Sequence, residues 1–415
     1  MLNRREFALL GAGLATPRRV LGRGRSKTVS ATDRNFLFIF NDGGWDTGYA
    51  FTDFNQVTGA GVEDGAEGAL ANGIHFVDHP DRPSVREFFE TYGPQTALIN
   101  GIEVRSVTHE RCRELMLTGQ GALKDDWSVV LAGRSTRDLL LPHVVIDGPA
   151  FSSRFTSDVV RVGDASQLPA LLSGEAFMDA DRLITPLAAH AESAADAFVA
   201  QRARQRADDL GDAYAEALER IEEMRDWSSL DLSLSFPGCE RDLIADANLA
   251  FSLFEAGITR TAMLRYKGWC AEGWDTHQGL EKQGQNFGDL FSYLSGIMSA
   301  LSVRTSASGG PLADEVTIIV FSEMGREPRL NSWGGRDHWT FTSTLLVGSG
   351  IQGGQTIGAL DAYGQGQAID LGTGAIRSTG TALLPEHLGA TLLTLGDVDP
   401  EEFIGDAQAI SAVIA

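Results

Sequence analysis

No stretch of this chain is apolar for long enough to cross a bilayer, which takes about 20 residues, so no membrane-spanning helix is expected to organise it. Cysteine is scarce too. Cys112, Cys239 and Cys270 are the only three in 415 residues, too few for a disulfide framework and without CxxC spacing. One disulfide fits the count and none is required. The third deficit is positive charge: 34 Lys and Arg face 56 Asp and Glu, a formal net charge of −22. Such acidity opposes a nucleic-acid partner and repels polyanions at long range, although a solvated acidic surface is the plainer explanation of it. What remains, 43% hydrophobic and 22% charged residues with 47 glycines, describes a globular chain rich in turns and excludes disordered and fibrous classes.

The N-terminus carries its own signal. Asn3-Arg4-Arg5-Glu6-Phe7 precedes a short apolar run from Ala8 to Ala15, the arrangement of a twin-arginine export leader. Residues 1–31 are therefore expected to be removed, with Val29-Ser30-Ala31 as the small-residue cleavage candidate, and the protein to be periplasmic or extracellular. The leader holds seven Arg and Lys and one Glu, so removing its net +6 leaves −28.

After it, Asn35 to Phe40 is continuously apolar past its first residue, as expected of a buried parallel strand. Thr96 to Asn100, Leu141 to Ile146, Thr261 to Tyr266 and Val316 to Phe321 read the same way. Helical patterns separate them, and residues 280–303 look helical. From Leu187 to Trp227 apolar residues fall at helical spacing, with Leu210, Tyr214, Leu218 and Ile221 on one face, which suggests a helical insertion over about 185–245. Alternating strands and helices imply an α/β fold with a mainly parallel sheet. No linker divides residues 32–415, so one large domain is expected.

Chemistry concentrates in a few loops. Gly273-Trp274-Asp275-Thr276-His277 and Gly334-Gly335-Arg336-Asp337-His338-Trp339 each set an aspartate near a histidine, and the strand between them ends in Ser322-Glu323-Met324-Gly325-Arg326. Open α/β sheets bind ligands at strand ends of this kind. Carboxylates with imidazoles suit zinc, manganese or iron, whereas magnesium or calcium would use fewer histidines. Zinc is the first expectation. Arg326 or Arg336 would then hold an anionic substrate bidentately.

Together with Asn41-Asp42-Gly43-Gly44-Trp45-Asp46 and Gly353 to Ala359, these motifs resemble, in content and order, the exported domain-of-unknown-function family 1501 of the alkaline phosphatase and sulfatase superfamily. Pro385 to Leu393 looks like the helix that ends many superfamily members. The resemblance implies an alkaline phosphatase-like fold, a central sheet flanked by helices that holds one or two divalent metals at its strand ends. It implies hydrolysis of phosphate or sulfate esters, on an anionic small molecule or a glycan. Carried over position by position, Asp42 takes the place of the metal-binding aspartate after the first strand, with Asp46 as a competitor. Asp275 and His277 match the later metal pair, and His338 with Asp337 the last histidine ligand. Glu323 stands where the superfamily commonly has Asp-His and is expected among the metal ligands, as is Asp337, with His109 or Thr108 in the nucleophile position.

The nucleophile position departs from the pattern. Counting back from Leu117-Thr118-Gly119 lands on His109 rather than on a hydroxyl or thiol, while Arg113 matches the supporting arginine. Ser106, Thr108 and Cys112 lie nearby. His109 itself is open to two roles, metal ligand or phosphoryl acceptor. The missing hydroxyl keeps a second class alive, a non-catalytic binding or assembly protein of the cell envelope. The hydrolase reading requires His109, His277 and His338 to approach a common point.

Plainer readings accompany these residues. A turn aspartate such as Asp42 or Asp46 caps helices or closes Asx turns, and His277 is able simply to bond Asp275. Trp45, Trp269, Trp274, Trp333 and Trp339 flank the loops, either walling a pocket or packing the loops. His75, His79, His143, His190 and His387 sit in no comparable cluster and are read as structural.

Overall fold

Apolar side chains alternate between the two faces of the first strand, β1 (Asn35–Asn41). Leu37 and Ile39 enter one buried cluster, and Phe36, Phe38 and Phe40 enter another, so both faces of the sheet are covered and the strand reads as one apolar run. The computed structural model describes residues 34–119, 124–162 and 242–415. The expected leader, its cleavage candidate, Cys239, His190 and all but the end of the 185–245 insertion lie outside them.

The other strands are β2 (Glu67–Ala71), β3 (Ile74–Asp78), β4 (Thr96–Glu103), β5 (His143–Val145), β6 (Val159–Arg161), β7 (Thr261–Tyr266), β8 (Val316–Ser322), β9 (Gly325–Arg326), β10 (His338–Trp339), β11 (Phe341–Gly348) and β12 (Gln355–Ile357). Eight form one sheet in the order β12-β4-β11-β8-β1-β7-β5-β6. β11 alone runs antiparallel to its neighbours, so the sheet is mainly parallel. The helices Pro83–Tyr92, Leu243–Glu255 and Glu281–Ser302 cover one face, and His109–Thr118, Trp127–Gly133 and Pro385–Leu395 cover the other. This is the α/β architecture expected. No helix among the described residues is long and apolar enough to cross a membrane.

All five anticipated strands are present, but β11 has no counterpart in the sequence reading. Its polar residues Thr342, Ser343 and Thr344 are buried and disguise a central strand. Two of their hydroxyls are satisfied inside: Thr342 Oγ1 accepts from Trp45 Nε1 at 2.9 Å, and Ser343 Oγ donates to Asn100 Oδ1 at 2.6 Å.

Register decides where function sits. Asn41 pairs with both Tyr266 and Ser322, so β1, β7 and β8 end in line. β4 runs in the same direction, being antiparallel to β11, which is antiparallel to β8. The loops after β1, β4, β7 and β8 and the start of β11 therefore share one edge, the ligand-binding edge of open α/β sheets.

Away from that edge, His143 is fully buried, and burial pushes its imidazole down to about 4. Ser128 Oγ links it to Asp126, whose carboxyl burial pushes up to about 6. An unfolded histidine takes its proton near 6.5, so His143 destabilises the fold as pH falls from about 6.5 to about 4, by on the order of 2–3 kcal/mol. Asp126 acts oppositely, because the folded chain holds its proton between the unfolded value of 3.8 and about 6 and gains stability as pH falls. His143→Gln should therefore shrink the drop in urea midpoint between pH 7 and pH 4.5; an unchanged drop would remove His143 from the acid response. Among the described cysteines, Cys112 is free and Cys270 is disulfide-bonded.

Candidate metal centre

Three chain segments deliver four side chains to one point of this edge. His109 is the first residue of the His109–Thr118 helix, which follows β4 and ends at Gly119 with φ of 72°, the left-handed cap that glycine supplies. Asp275 and His277 lie beyond β7, and His338 begins in β10, where it pairs with Arg326 of β9. Two glycines allow the close approach. A Cβ on Gly43, whose φ is +126°, would fall 3.0 Å from the Trp274 amide, and one on Gly335 would fall 2.3 Å from the His277 carbonyl. The Gly334-Gly335-Arg336 backbone thus lies directly on residues 276–277, and Arg336 N–H donates to the Thr276 carbonyl at 3.0 Å.

His277 Nε2 stands 2.9 Å from His338 Nε2 and 3.4 Å from Asp275 Oδ1. His109 Nε2 is 3.8 Å from Asp275 Oδ2, and its ring centroid is 4.4 Å from that of His338. His109, Asp275 and His338 each offer a ligand atom within 4.8 Å of the other two. The rings are half-buried and Asp275 is exposed, so the cluster is open to solvent.

Behind each ring lies an acceptor. His109 Nδ1 donates to Glu323 Oε1 at 2.7 Å, His277 Nδ1 to Asp337 Oδ1 at 3.1 Å, and His338 Nδ1 to the Val107 carbonyl at 2.6 Å. This network assigns the proton of the neutral rings to Nδ1 and leaves the Nε2 lone pairs facing inward. Two such lone pairs at 2.9 Å are unfavourable unless a cation or a shared proton lies between them. Ligands of a tetrahedral zinc stand about 3.3 Å apart, close to the spacings found. The donor set therefore fits a divalent ion, with carboxylates or a carbonyl fixing each imidazole from behind.

Electrostatics separates the histidines. Burial, then Arg326 and the neighbouring rings, hold His338 below its ordinary value, which favours its neutral, ligating form. The hydrogen bond to Glu323 holds His109 above it, so a proton competes there with a metal. Hydrogen bonds from Asn331 and His277 keep the Asp337 carboxyl low.

Other expected site residues are placed differently. Glu323, fully buried, accepts from Gly43 N–H at 3.0 Å and Ser322 Oγ at 3.0 Å as well as from His109. It and Asp337 stand behind histidines, where direct metal ligands were expected. Asp42 is held by Arg113 at 2.8 Å and Arg265 at 3.1 Å. Asp46 caps the 3-10 turn Thr47–Tyr49 and pairs with Arg336 at 3.1 Å. Both carboxylates are turned to arginines rather than to the histidine cluster. The expected anion clamps are engaged within the protein. Arg326 donates to the Gly43, Gly44 and Arg336 carbonyls and pairs with Asp275 at 2.8 Å, and Arg336 donates to Asp46 and the Gly61 carbonyl. Thr108 is exposed at the N-cap without a capping bond, and Arg113 lies one turn beyond His109. The tryptophans divide: Trp45 and Trp274 are buried and pack with Phe287, whereas Trp269 and Trp333 are exposed.

Amides missed by the sequence reading tie these loops together. Gln283 donates to the Trp274 carbonyl and accepts from Asp46 N–H. Asn331 Nδ2 donates to the His277 carbonyl and to Asp337 Oδ1, both at 3.0 Å. Asn331 also accepts from Trp333 N–H, an Asx turn that Asn-Ser-Trp-Gly would signal; Gln283 lies in a helix and gives no such sign.

Fold and site together define a mainly parallel α/β protein with a histidine and carboxylate cluster at the carboxyl edge of its sheet. The chain belongs to the family described as protein of unknown function (DUF1501), whose model matches residues 156–403. No curated protein matches it. Among solved structures it is similar to Ps i-CgsB in complex with k-i-k-neocarrahexaose, at 10% identity and TM-score 0.40, covering 90% of this chain and 74% of that one. It is also similar to the PsFucS1 sulfatase from Pseudoalteromonas sp., at 9% identity and TM-score 0.40 over 92% and 72%. BT4656 in complex with its substrate D-glucosamine-2-N,6-O-disulfate matches at 10% identity and TM-score 0.32 over 91% and 81%.

Proposed function

We propose that this chain is an exported, metal-dependent hydrolase of sulfate or phosphate esters. The observation that carries the reading is the convergence of His109, His277, His338 and Asp275, with every imidazole Nδ1 occupied from behind. A divalent ion bound by these four would polarise an ester oxygen and bring the pKa of a water toward about 7. The nitrogen-rich set suits zinc, manganese or iron, with zinc first.

The chain's own groups have distinct tasks. Glu323 and Asp337 hold two imidazoles in the ligating tautomer. Arg326 fixes Asp275, and Arg113 holds Asp42 beside the cluster. Cys112 is buried with its thiol pushed up to about 11 by burial, so it carries no thiolate at neutral pH. That leaves the hydroxyls of Thr108, exposed beside His109, and of half-buried Ser106 available for attack, and His109 in the place of the expected nucleophile. In the proposed layout residues 1–31 are the twin-arginine leader and 32–415 one domain with a helical insertion near 185–245, in the periplasm or outside the cell. The absence of a hydroxyl at position 109 favours a second reading, a non-catalytic binding or assembly protein of the envelope.

Turnover of a panel of aryl and sugar sulfates and phosphates separates the two. The hydrolase reading expects turnover that chelation abolishes and zinc or manganese restores. Metal-replete protein that hydrolyses none of the panel would shift the assignment to the binding protein.

A further inference from the structure

Among the described residues three aromatic side chains stand out of the packed interior: Trp269 is 43% exposed, Trp333 69% and Tyr363 68%. Each lies on a loop bonded to the histidine cluster. Trp269 opens the turn that delivers Asp275, and Asn286 clamps that turn by accepting from Trp269 N–H at 2.8 Å and donating to the Gly273 carbonyl at 2.9 Å. Trp333 is presented by Asn331, which accepts from the Trp333 and Gly335 amides at 2.9 and 3.1 Å while donating to the His277 carbonyl. Tyr363 precedes Gly364, whose carbonyl accepts from Trp339 Nε1 at 2.8 Å, one residue after His338. The amides of Asn286 and Asn331 and the indole of Trp339 fix these loops, yet the rings they carry are left in water.

Leaving large rings in water forgoes the stabilisation their burial would give, and here the other tryptophans of the same motifs, Trp45 and Trp274, are fully buried. Exposed rings on loops tied to a polar centre suit a ligand with apolar faces and polar edges. A sugar ring has both. A protein partner would call for a contiguous apolar patch, whereas the loops that carry these rings also carry polar and charged groups, among them Asn331, Asp361 and Glu272 with its partner Lys282. The net charge of −22 opposes a polyanion.

We propose that Trp269, Trp333 and Tyr363 form stacking subsites for an oligosaccharide of low charge density, which carries the ester to the histidine cluster. The assignment rests on the hydrolase reading for its reaction, but its binding test does not. Wild-type protein, Trp269→Ala and Trp333→Ala would be titrated against an array of neutral, singly sulfated and multiply sulfated oligosaccharides. Wild type should bind the sparsely sulfated members, and each variant should lose about tenfold in affinity. Metal content and thermal midpoint should stay unchanged, because both rings are exposed and the bonds that hold their loops are made by Trp269 and Trp333 backbone amides, which the substitutions keep. No binding to any glycan, unaltered binding by both variants, or preference for the most highly sulfated members would overturn the proposal. So would loss of a co-purifying protein, rather than of glycan, in the variants. Tryptophan-dependent glycan binding without metal or phenyl sulfate turnover would sink the hydrolase reading and leave this one standing.

Discussion

His338→Ala is expected to lower divalent metal affinity by more than about 100-fold. Substitutions that only disturb a group behind a metal ligand typically cost 10–100-fold, and His338 is placed to ligate directly, its Nε2 lying 2.9 Å from His277 Nε2. The fold should survive. The ring is half-buried, and the Val107 carbonyl that accepts from its Nδ1 lies at the exposed surface, where water replaces the bond at a cost of about 1 kcal/mol or less. Calorimetric titration with zinc, alongside a thermal melt in chelator, would separate the two effects. Asp337→Asn should show the milder loss, because it leaves all four ligands in place. Equal zinc affinity in His338→Ala and wild type would exclude His338 from the site.

The second large effect is expected from Arg326→Met, a destabilisation of about 3–5 kcal/mol, from three carbonyl acceptors that each lose a donor at about 1–3 kcal/mol. The Arg326 side chain is fully buried, and its guanidinium donates to the Gly44 carbonyl at 2.9 Å, the Gly43 carbonyl at 2.6 Å and the Arg336 carbonyl at 3.3 Å. A thioether replaces none of these bonds, and main-chain acceptors stranded in a buried turn carry their full desolvation penalty. Asp275, being exposed, can rehydrate. Its contribution to the loss is therefore smaller, but it would no longer be held 2.8 Å from a guanidinium, so metal affinity should fall as well. Arg326→Lys, with donors at a single point, should recover only part of the stability. A urea midpoint for Arg326→Met equal to wild type would show that Arg326 is not the pin of this loop and would reopen it as a substrate clamp.

The strands β1, β4, β5, β7 and β8 were legible because burial on both faces leaves little polar interruption. β11 was not legible, since Thr342, Ser343 and Thr344 look solvent-facing until Trp45 and Asn100 are seen to satisfy two of their hydroxyls. At the site, the Asp275, His277 and His338 motifs stood out through the glycines that bring their backbones together. What sequence could not order was the carboxylates. An acidic residue in a turn looks the same whether it faces a metal, a histidine Nδ1 as Glu323 and Asp337 do, or an arginine as Asp42 and Asp46 do. The partner is fixed only by tertiary placement. The same holds for Arg326 and Arg336, whose charge suggested an anion clamp and whose donors go largely to carbonyls of distant loops.

Anomalous diffraction from crystals grown with zinc would show which residues hold the proposed ion. One strong peak is expected about 2.0–2.2 Å from ring nitrogens of His109, His277 and His338 and from an Asp275 oxygen. No peak among these residues, or a peak held by Asp42 or Asp46 instead, would contradict this assignment.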